Sequence, residues 1–299
     1  MDINFEYYKV FYYVAKYGNL TKAAAAMRSS QPNITRIMKL LEESLQCRLL
    51  VREARGISLT EEGKRLYSHV EIAFNQLQNA QEEISAHASD GTGTIEIGAT
   101  ETALHLFLLD ALQEFREIYP KVRMKIHNHT TLEILKSLAG GRLDVAVVTT
   151  PFDVSGQFVC DELTEFKEIL VGSRQYSMLG SEKQDFDNLK PHPWVGLGTG
   201  TVTYEWYRDF FLENHIEIEP DTEAATSDLL IPLILGNMGI GFVPERMALS
   251  WLQERKLVRI PLNHEPPLRK ICLVSDKGRG ISAISAELQK YLKGRREYI

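Results

Sequence analysis

The chain has 299 residues and a mass of 34.0 kDa, a length typical of two or three domains. Its 44% hydrophobic and 25% charged residues are typical of a soluble globular protein, and no apolar run approaches the ~20 residues of a membrane-spanning helix. Three widely spaced cysteines without a CxxC pair argue against a disulfide framework and a thiolate zinc site. Because the N-terminus shows no signal peptide, we expect a cytoplasmic protein.

The net charge of −6 is unevenly distributed along the chain. Residues 1–66 carry eleven Lys and Arg against seven Asp and Glu, a net charge of +4, so the rest of the chain carries −10. A basic N-terminal segment joined to an acidic remainder indicates two separate tasks, one of them at a polyanion such as nucleic acid. Chance asymmetry among surface charges is the alternative that charge alone leaves open.

Three short helices are predicted at the N-terminus. The first covers Phe5–Lys16, where apolar residues recur at helical spacing. Thr21 is a candidate N-cap for a second helix over Lys22–Arg28, whose four consecutive alanines leave room for a closely packed neighbour. Pro32 fits the first turn of a third helix, because a backbone N–H is not needed there.

The third helix presents two chemically different faces. One side is apolar, with Ile34, Ile37, Leu40, Leu41 and Leu45. The other side carries amides, hydroxyls and cations, namely Gln31, Asn33, Thr35, Arg36 and Lys39. Such side chains can bind base edges in a major groove, and two short helices joined by a tight turn form a helix-turn-helix. A small helical bundle with a solvated polar face remains the alternative from periodicity alone.

A β-hairpin is predicted after the third helix. Residues 48–60 contain two short apolar runs separated by a tip that includes Gly56. Arg52 and Arg55 lie near this tip, so the hairpin is expected to form a basic wing beside the helix-turn-helix.

Four sequence blocks stand in the order and spacing of the LysR-type transcriptional regulators. They are Asn19–Ala24, Ser30–Thr35, Leu40–Leu45 and Leu59–Gly63. The chain therefore resembles this family, densely through residues 1–65 and more loosely beyond them. The departures are Gln46 where the family usually has Gly, Leu50 where Phe is common, and Thr35 where Ser is common. The resemblance implies DNA contacts by Thr21, Ser30, Gln31, Pro32, Asn33, Thr35 and Arg36, with Arg52 and Arg55 in the wing.

A heptad pattern follows the hairpin. Its seam runs through Leu66, Val70, Ala73, Leu77, Ala80, Ile84 and His87 in alternating steps of four and three. This spacing is typical of a helix that packs against a partner helix, although a long helix packed on its own domain is the alternative. The resemblance favours a linker helix over residues 61–90 that dimerises a winged helix-turn-helix domain at residues 1–60, and it also implies a tetramer.

The rest of the chain repeats one pattern of strands and helices. Residues 94–148 and residues 194–243 each follow the order strand, helix, strand, helix, strand, with the middle strand of the second unit at Ile216 and Ile218. This alternation predicts parallel α/β sheets in two lobes, with a cleft at the carboxyl ends of their strands.

The resemblance assigns residues 91–299 to the periplasmic-binding-protein-like effector domain of LysR regulators. It places lobe I at residues 92–161 and 266–299, and lobe II at residues 162–265.

Threonines cluster after the strands of both units. The candidate effector contacts are Thr100, Glu101, Thr102, Thr149, Thr150, Thr199, Thr201 and Thr203. Hydroxyls and free N–H groups at helix N-termini bind anions without Lys or Arg, which predicts a small carboxylate or oxyanion effector and no other cofactor. Ordinary N-capping by Thr is the alternative. Glu101 does not suit a purely anionic ligand; it would meet an amino or hydroxyl group, or point to solvent.

Catalytic and metal-binding motifs are weak. His127 and His129 are expected on one face of a strand, but no cysteine or third ligand stands near them. Cys160 and Cys272 have no assigned base, and no Gly-x-Ser-x-Gly elbow is present. The sequence therefore predicts neither an enzyme nor a metal site.

These patterns predict an α/β protein with an N-terminal winged helix-turn-helix and a two-lobed effector domain, acting as a ligand-responsive transcriptional regulator. The expected partners are double-stranded operator or promoter DNA, a small-molecule effector and further copies of the chain, with RNA polymerase as an additional candidate. No membrane association is expected. A solute-binding protein or an enzyme on the same two-lobed fold is the alternative, which leaves the basic N-terminal segment unexplained.

Overall fold

The structure is a computed structural model that describes residues 3–53, 56–85, 93–154 and 156–295. The chain divides into two compact units, Met1–Ser85 with Gly140–Arg142 and Ala86–Ala139 with Leu143–Ile299. Within the described ranges, no helix combines the length and the apolar character needed to cross a membrane.

The described part of the first unit consists of helices and one β-hairpin. In chain order its elements are α1 (Phe5–Tyr17), α2 (Leu20–Ala26), α3 (Gln31–Leu45), β1 (Leu50–Glu53), β2 (Gly56–Leu59) and α4 (Glu61–Ser85). The two strands pair antiparallel, with Leu50 opposite Leu59. A helix-turn-helix followed by a hairpin is a winged helix-turn-helix, the fold that the sequence predicts for this segment.

The core of the first unit lies between α1, α2 and α3. Phe11, Ile34 and Leu41 are fully buried there, and Ala23 and Ala24 are buried where α2 meets its neighbours. Each large apolar side chain contributes about 1.5–3 kcal/mol when it leaves water. Because this burial fixes one face of α3 toward the core, it also fixes which side chains of α3 face outward.

The start of α2 differs from the prediction. The helix begins at Leu20, because the Oδ1 atom of Asn19 accepts hydrogen bonds from the backbone N–H groups of Thr21 and Lys22 at 2.9 and 3.0 Å. The predicted N-cap at Thr21 is therefore wrong. Asn19 satisfies two N–H groups that the first helical turn leaves without partners.

Gln46 ends α3 in the left-handed conformation, with φ 53° and ψ 31°. In this conformation a residue with a Cβ atom is destabilised by roughly 1–2 kcal/mol relative to glycine. Glycine loses more backbone entropy on folding, and this offsets roughly 0.5–1 kcal/mol of the difference. The resemblance to the family places Gly at this position. The backbone geometry of the helix end explains that preference, and Gln46 retains the same geometry at a cost.

We expect Gln46→Gly to stabilise the first unit by about 0.5–1 kcal/mol, the difference between those two effects. Hydrogen exchange of α3 peptides should slow by roughly 2–5-fold, provided that exchange follows opening of this unit. Gln46→Ala is the matched control, because it keeps a Cβ atom in the left-handed conformation. An equal gain from the alanine variant would contradict the backbone explanation.

The described part of the second unit forms two lobes. In chain order its elements are β3 (Gly93–Ala99), α5 (Glu101–Ala103), a π-helical turn (Leu104–Leu108), α6 (Leu109–Ile118), β4 (Val122–Asn128), α7 (Thr131–Ala139), β5 (Val145–Thr149), β6 (Phe158–Phe166), β7 (Glu168–Ser173), a 3-10 segment (Arg174–Gly180), α8 (Phe186–Leu189), β8 (Val195–Leu197), α9 (Val202–Glu213), β9 (Thr222–Ala224), a 3-10 turn (Ser227–Leu229), α10 (Leu230–Leu235), β10 (Gly241–Pro244), α11 (Glu245–Gln253), β11 (Leu257–Arg259), β12 (Arg269–Asp276) and α12 (Ala283–Arg295).

The sheet of the first lobe has the strand order β4-β3-β5-β12-β6. Strands β4, β3 and β5 are parallel, whereas β12 is antiparallel to both β5 and β6. The three strands predicted at residues 94–148 are parallel, as expected, and β12 adds an antiparallel strand where the chain returns from the second lobe. Strand β6 stays paired with β12 as far as Phe166, so it continues past the predicted lobe boundary between residues 161 and 162.

The second lobe contains an antiparallel sheet, β10-β7-β11, and the parallel pair β8-β9. The strand predicted at Ile216 and Ile218 is wrong, since β9 pairs with β8 instead. Ile216 is buried in the aromatic core of this lobe, so its apolar character reflects packing and not strand pairing. Asp221 sets the pairing register, because its Oδ2 atom accepts a hydrogen bond from the backbone N–H of Trp194 at 2.7 Å.

Candidate functional site

Short polar side chains order the N-terminal end of α3. The Oγ atom of Ser30 accepts a hydrogen bond from the backbone N–H of Asn33 at 3.4 Å. The side-chain amide of Asn33 donates to Ser29 Oγ at 3.1 Å, and Thr35 Oγ1 donates to the Gln31 carbonyl at 3.0 Å. These local bonds hold the end of the helix in one arrangement before any partner binds.

The outward face of this segment is polar and basic. Most of the predicted contact residues are exposed, namely Thr21, Ser30, Gln31, Pro32 and Arg36, whereas Asn33 and Thr35 are half-buried. Residues 18–41 contain no Asp or Glu, and their cations are Lys22, Arg28, Arg36 and Lys39. Among the described residues, no carboxylate forms an ion pair with any of these four cations. The positive end of the α3 dipole adds to their attraction for phosphate.

The wing residues are only partly described. Arg52 lies in β1 opposite Ile57, but its side chain is outside the described part of the structure. Arg55 lies wholly outside the described residues. Their contact with DNA stays a prediction from the sequence.

The apolar heptad residues of α4 lie in two different environments. Val70 is 8% exposed, and together with Leu66 it packs on the core of the first unit. Ala73, Leu77 and Ala80 are exposed farther along the helix, and Leu77 leaves 48% of its surface open. The side chain of Ile84 and all of His87 lie outside the described residues. An exposed apolar stripe on a long helix is a surface that a partner helix can cover.

A cavity of about 70 Å³ lies between the two lobes of the second unit. The predicted residues that line it are Thr100, Glu101, Thr102, Thr149, Thr201 and Thr203. Two predicted residues do not line it. The hydroxyl of Thr150 accepts a hydrogen bond from the backbone N–H of Lys270 at 2.9 Å, and Thr199 is exposed in the loop before α9.

Of the two predicted threonines that stand directly before helices and line the cavity, capping explains Thr201 but not Thr100. Thr201 caps α9, because its Oγ1 atom accepts a hydrogen bond from the backbone N–H of Tyr204 at 3.1 Å. Thr100 precedes α5 without a capping bond, and its Oγ1 atom is buried without a partner among the described residues. A buried hydroxyl without a partner costs about 1–3 kcal/mol, so a bound ligand or water that bonded it would remove a real penalty.

A buried ion pair forms one wall of the cavity, and the sequence does not predict it. Arg269 and Glu168 are each 3% exposed, and Arg269 Nη1 donates to Glu168 Oε1 at 2.8 Å. Burial raises the pKa of Glu168, and the guanidinium of Arg269 offsets part of that rise. The two residues start their strands, β12 and β7, and no short motif connects them. Their only sequence signal is a charged residue at the edge of an apolar strand.

Arg269 joins elements of both lobes. Its Nε atom donates to the Thr150 carbonyl at 2.7 Å, and its Nη2 atom donates to the hydroxyls of Thr149 at 3.3 Å and Thr203 at 3.0 Å. The guanidinium also lies over two aromatic rings, 5.4 Å from the centroid of Phe166 and 5.1 Å from that of Trp206. The side chain thereby connects the end of β5 with the start of α9.

Tyr207 adds a second buried hydroxyl to the wall. Its Oη atom faces the Glu168 carboxylate but makes no hydrogen bond of normal geometry among the described residues. Burial raises the pKa of Tyr207 well above its ordinary value, and the negative charge of Glu168 raises it further. The hydroxyl therefore keeps its proton at neutral pH.

The structure does not support a metal site at His127 and His129 or a reactive thiol at Cys160 or Cys272. His127 Nε2 is 2.7 Å from Glu96 Oε2, whereas His129 follows the end of β4 and lines the cavity, so the two imidazoles do not form a pair. Within the described ranges, no group of three His, Cys, Asp or Glu side chains could hold a metal ion. Burial raises the pKa of the Cys160 thiol, and it raises that of Cys272 to about 12. Such thiols are poor nucleophiles at neutral pH.

Two family models match the chain. The model described as LysR substrate binding domain matches residues 88–296, and the model described as bacterial regulatory helix-turn-helix protein, lysR family, matches residues 5–64. Similar proteins include the HTH-type transcriptional regulator YofA of Bacillus velezensis, 27% identical over 250 residues that cover 83% of each chain. A probable hydrogen peroxide-inducible genes activator of Streptomyces viridosporus is 27% identical over 289 residues, 95% of this chain and 92% of that protein.

Solved structures share the fold over the full length. Full-length CbnR complexed with its target DNA has a TM-score of 0.73 at 19% identity, covering 98% of this chain and 99% of that one. A full-length variant of OxyR from Pseudomonas aeruginosa has a TM-score of 0.70 at 15% identity, covering 99% of this chain and 95% of that one. At these identities the likeness establishes a common fold.

Proposed function

The chain belongs to the LysR family of DNA-binding transcriptional regulators, and from this premise we propose which residues carry each part of its task. The predicted fold class and the predicted regulatory function are confirmed, and the relatives are regulators and not enzymes. We propose that Gln31, Asn33 and Thr35 contact base edges, because the polar, ordered and acid-free N-terminal end of α3 suits a major groove. In this proposal, Arg36 and the wing residues Arg52 and Arg55 hold phosphates.

We further propose that the cavity between the lobes binds a small effector with a carboxylate or oxyanion group. The observation that carries this proposal is the buried hydroxyl of Thr100, which has no partner among the described residues and belongs to a residue that lines the same cavity as Thr149 and Thr203. An effector changes DNA binding only if it binds two arrangements of the protein unequally. Ligand contacts made from both lobes supply that inequality, because they weaken when the lobes separate.

We propose that the chain dimerises through α4. The exposed stripe formed by Ala73, Leu77 and Ala80 supports this proposal, since a partner helix would cover it. A dimer places two helix-turn-helix units on half-sites spaced by multiples of ~34–36 Å. A tetramer of two dimers and contact with RNA polymerase extend the proposal.

The domain limits follow the same assignment. We assign residues 1–60 to the DNA-binding domain, 61–90 to the linker helix and 91–299 to the effector domain. Within the effector domain, the pairing of β6 with β12 favours a change of lobe after Phe166.

A gel-shift titration tests the proposed DNA binding. The full chain should bind DNA from upstream of its own or adjacent genes more tightly than a scrambled fragment. Because phosphate contacts release counterions, affinity should fall by roughly 10³–10⁵-fold between about 50 and 200 mM salt if six to ten phosphates are contacted. Equal affinity for both fragments at every salt concentration would contradict sequence-specific recognition.

Thr100→Val tests the cavity. Loss of a hydrogen bond to a charged group costs about 1.5–3 kcal/mol, so effector affinity should fall by roughly 10–100-fold while the fold is retained. A thermal-shift screen of small acids first identifies a ligand, and titration then compares the variants. Thr199→Val is the matched control, since this threonine is exposed and does not line the cavity. Equal losses in both variants would remove the cavity from the proposal.

A further inference from the structure

We infer that the effector is a small amino acid, whose ammonium group faces Glu168 while its carboxylate faces the threonine hydroxyls of the cavity. This inference rests on the proposed effector role of the cavity and adds a requirement for positive charge on the ligand. It makes Glu168 and Arg269 the residues that separate a zwitterion from a simple acid.

The charge balance of the cavity wall is the first step. Its charged side chains include two carboxylates, Glu101 and Glu168, and one guanidinium, Arg269. Glu101 lies 2.7 Å from His105 Nε2 and accepts a hydrogen bond from Asn128 Nδ2 at 2.9 Å, and neither partner is a Lys or Arg. With both carboxyls ionised and with His105 and His129 neutral, the wall therefore carries a net charge of −1. A simple anion would add a second negative charge to this site, whereas a zwitterion would add none.

The second step is that the guanidinium of Arg269 already has hydrogen-bond partners within the protein. The guanidinium has five N–H groups, and four of them are directed at Thr150, Glu168, Thr149 and Thr203. Aromatic rings lie over the guanidinium as well. Arg269 thus neutralises and positions Glu168, and it retains little capacity to bind the acid group of a ligand.

The third step is the set of groups that remain available. Glu168 Oε1 accepts from Arg269, and no hydrogen bond to its Oε2 atom is found among the described residues. Beside it lies the buried hydroxyl of Tyr207, and Thr100 lines the same cavity; neither hydroxyl has a partner in the described part of the chain. A carboxylate oxygen favours a charged donor, and hydroxyls can donate to a carboxylate. The wall therefore offers separate places for the two ends of an amino acid.

The size of the cavity agrees with a short ligand. Its volume is about 70 Å³. At roughly 10–15 Å³ for each water-sized group, it holds on the order of five such groups, which suits a small amino acid and not an aromatic one.

Matched ligand series test the charge requirement on the wild-type full chain. Each series compares an amino acid with its analogue lacking the amino group and with the amine lacking the carboxylate: L-alanine, propionate and ethylamine; L-serine, 3-hydroxypropionate and ethanolamine. Lactate replaces the ammonium of alanine by a hydroxyl. Thermal shift and calorimetry should show that an amino acid binds at least about tenfold more tightly than its analogues, the effect of one charge-assisted hydrogen bond.

The outcomes separate the two proposals. Propionate, 3-hydroxypropionate or lactate binding as tightly as its amino acid would overturn the charge requirement and leave the effector cavity intact. Binding by other acids but by no amino acid would do the same. If no acid of any class raised the melting temperature, the proposed effector role of the cavity would itself fail.

Glu168→Gln then assigns the preference to this residue. The substitution keeps the shape and removes the negative charge, so the preference for the amino acid should fall from about tenfold to less than about threefold. Glu165→Gln is the matched control, because Glu165 is exposed on β6 and does not line the cavity; it should retain the preference. An unchanged preference in the Glu168 variant would overturn the assignment. The wild-type ligand series decides the charge requirement even if this variant fails to fold.

Discussion

Arg269→Ala should destabilise the second unit by about 3–5 kcal/mol, because it leaves the Glu168 carboxylate buried without its counterion. The same substitution removes the hydrogen bonds that join the Thr150 carbonyl and the Thr203 hydroxyl. It also uncovers the rings of Phe166 and Trp206. The loss should therefore equal a large fraction of the total stability of a domain.

Tryptophan fluorescence in urea measures this loss selectively. All three tryptophans, Trp194, Trp206 and Trp251, lie in the second unit. The double variant Arg269→Met with Glu168→Leu should recover most of the stability, since a buried ion pair replaced by apolar residues of similar volume is often neutral or stabilising. If Arg269→Ala lowered the free energy of unfolding by less than about 1 kcal/mol, the pair would contribute no more than an exposed ion pair, and this result would contradict the prediction.

The pH dependence of the deficit gives an independent measurement. Burial raises the pKa of Glu168, and removal of the guanidinium should raise it further. A carboxyl whose pKa is higher in the folded state than in the unfolded state lowers stability as the pH rises between those two values. The deficit should therefore be smaller at about pH 4.5 than at about pH 7.5. An identical deficit at both values would assign the loss to packing and not to charge.

The sequence could predict the first unit because its determining interactions are local. The apolar spacing on α3, the small residues of α2 and the glycine-containing hairpin each depend on neighbours in the chain. The cap of α2 was misplaced because two nearby polar residues, Asn19 and Thr21, are both good N-caps. In the structure it is the Asn19 side chain that accepts hydrogen bonds from the free N–H groups of the first helical turn.

The wall of the cavity could be predicted only in part, for a physical reason. Threonines that follow strands were found because the strand ends of α/β sheets meet at one edge. Glu168 and Arg269 are 101 residues apart in the chain, and they meet only after β12 has returned between β5 and β6. The predicted strand at Ile216 failed for a related reason, because burial in an aromatic core produces the same apolar pattern as strand pairing.

One consequence of this arrangement links stability to regulation. Arg269 contacts both the end of β5 and the start of α9, so the residue that compensates a buried charge also connects the lobes. A ligand that bonds Glu168 would redistribute the hydrogen bonds of the guanidinium. Such a ligand could change the lobe arrangement only by as much as its affinities for the two arrangements differ.

Gln31→Ala should relax the sequence preference of the DNA-binding unit, whereas Arg52→Ala should weaken binding to all sequences. Gln31 is exposed at the start of α3, and no hydrogen bond of its side-chain amide is found among the described residues, so the amide is available to a base edge. Loss of such a contact should cost about 1–3 kcal/mol at one base pair. Arg52 stands in the predicted wing, where its charge would meet phosphates.

Gel shifts with single-base operator variants, repeated over a range of salt concentrations, distinguish these two roles. Gln31→Ala should flatten discrimination at one position and leave the salt dependence unchanged. Arg52→Ala should preserve discrimination and reduce the slope of log affinity against log salt by about 1. Lys9→Ala is a control, because this half-buried cation on α1 pairs with Glu6 at 3.5 Å and should change neither measurement. The same change of specificity in both variants would contradict the division between base contacts on α3 and phosphate contacts in the wing.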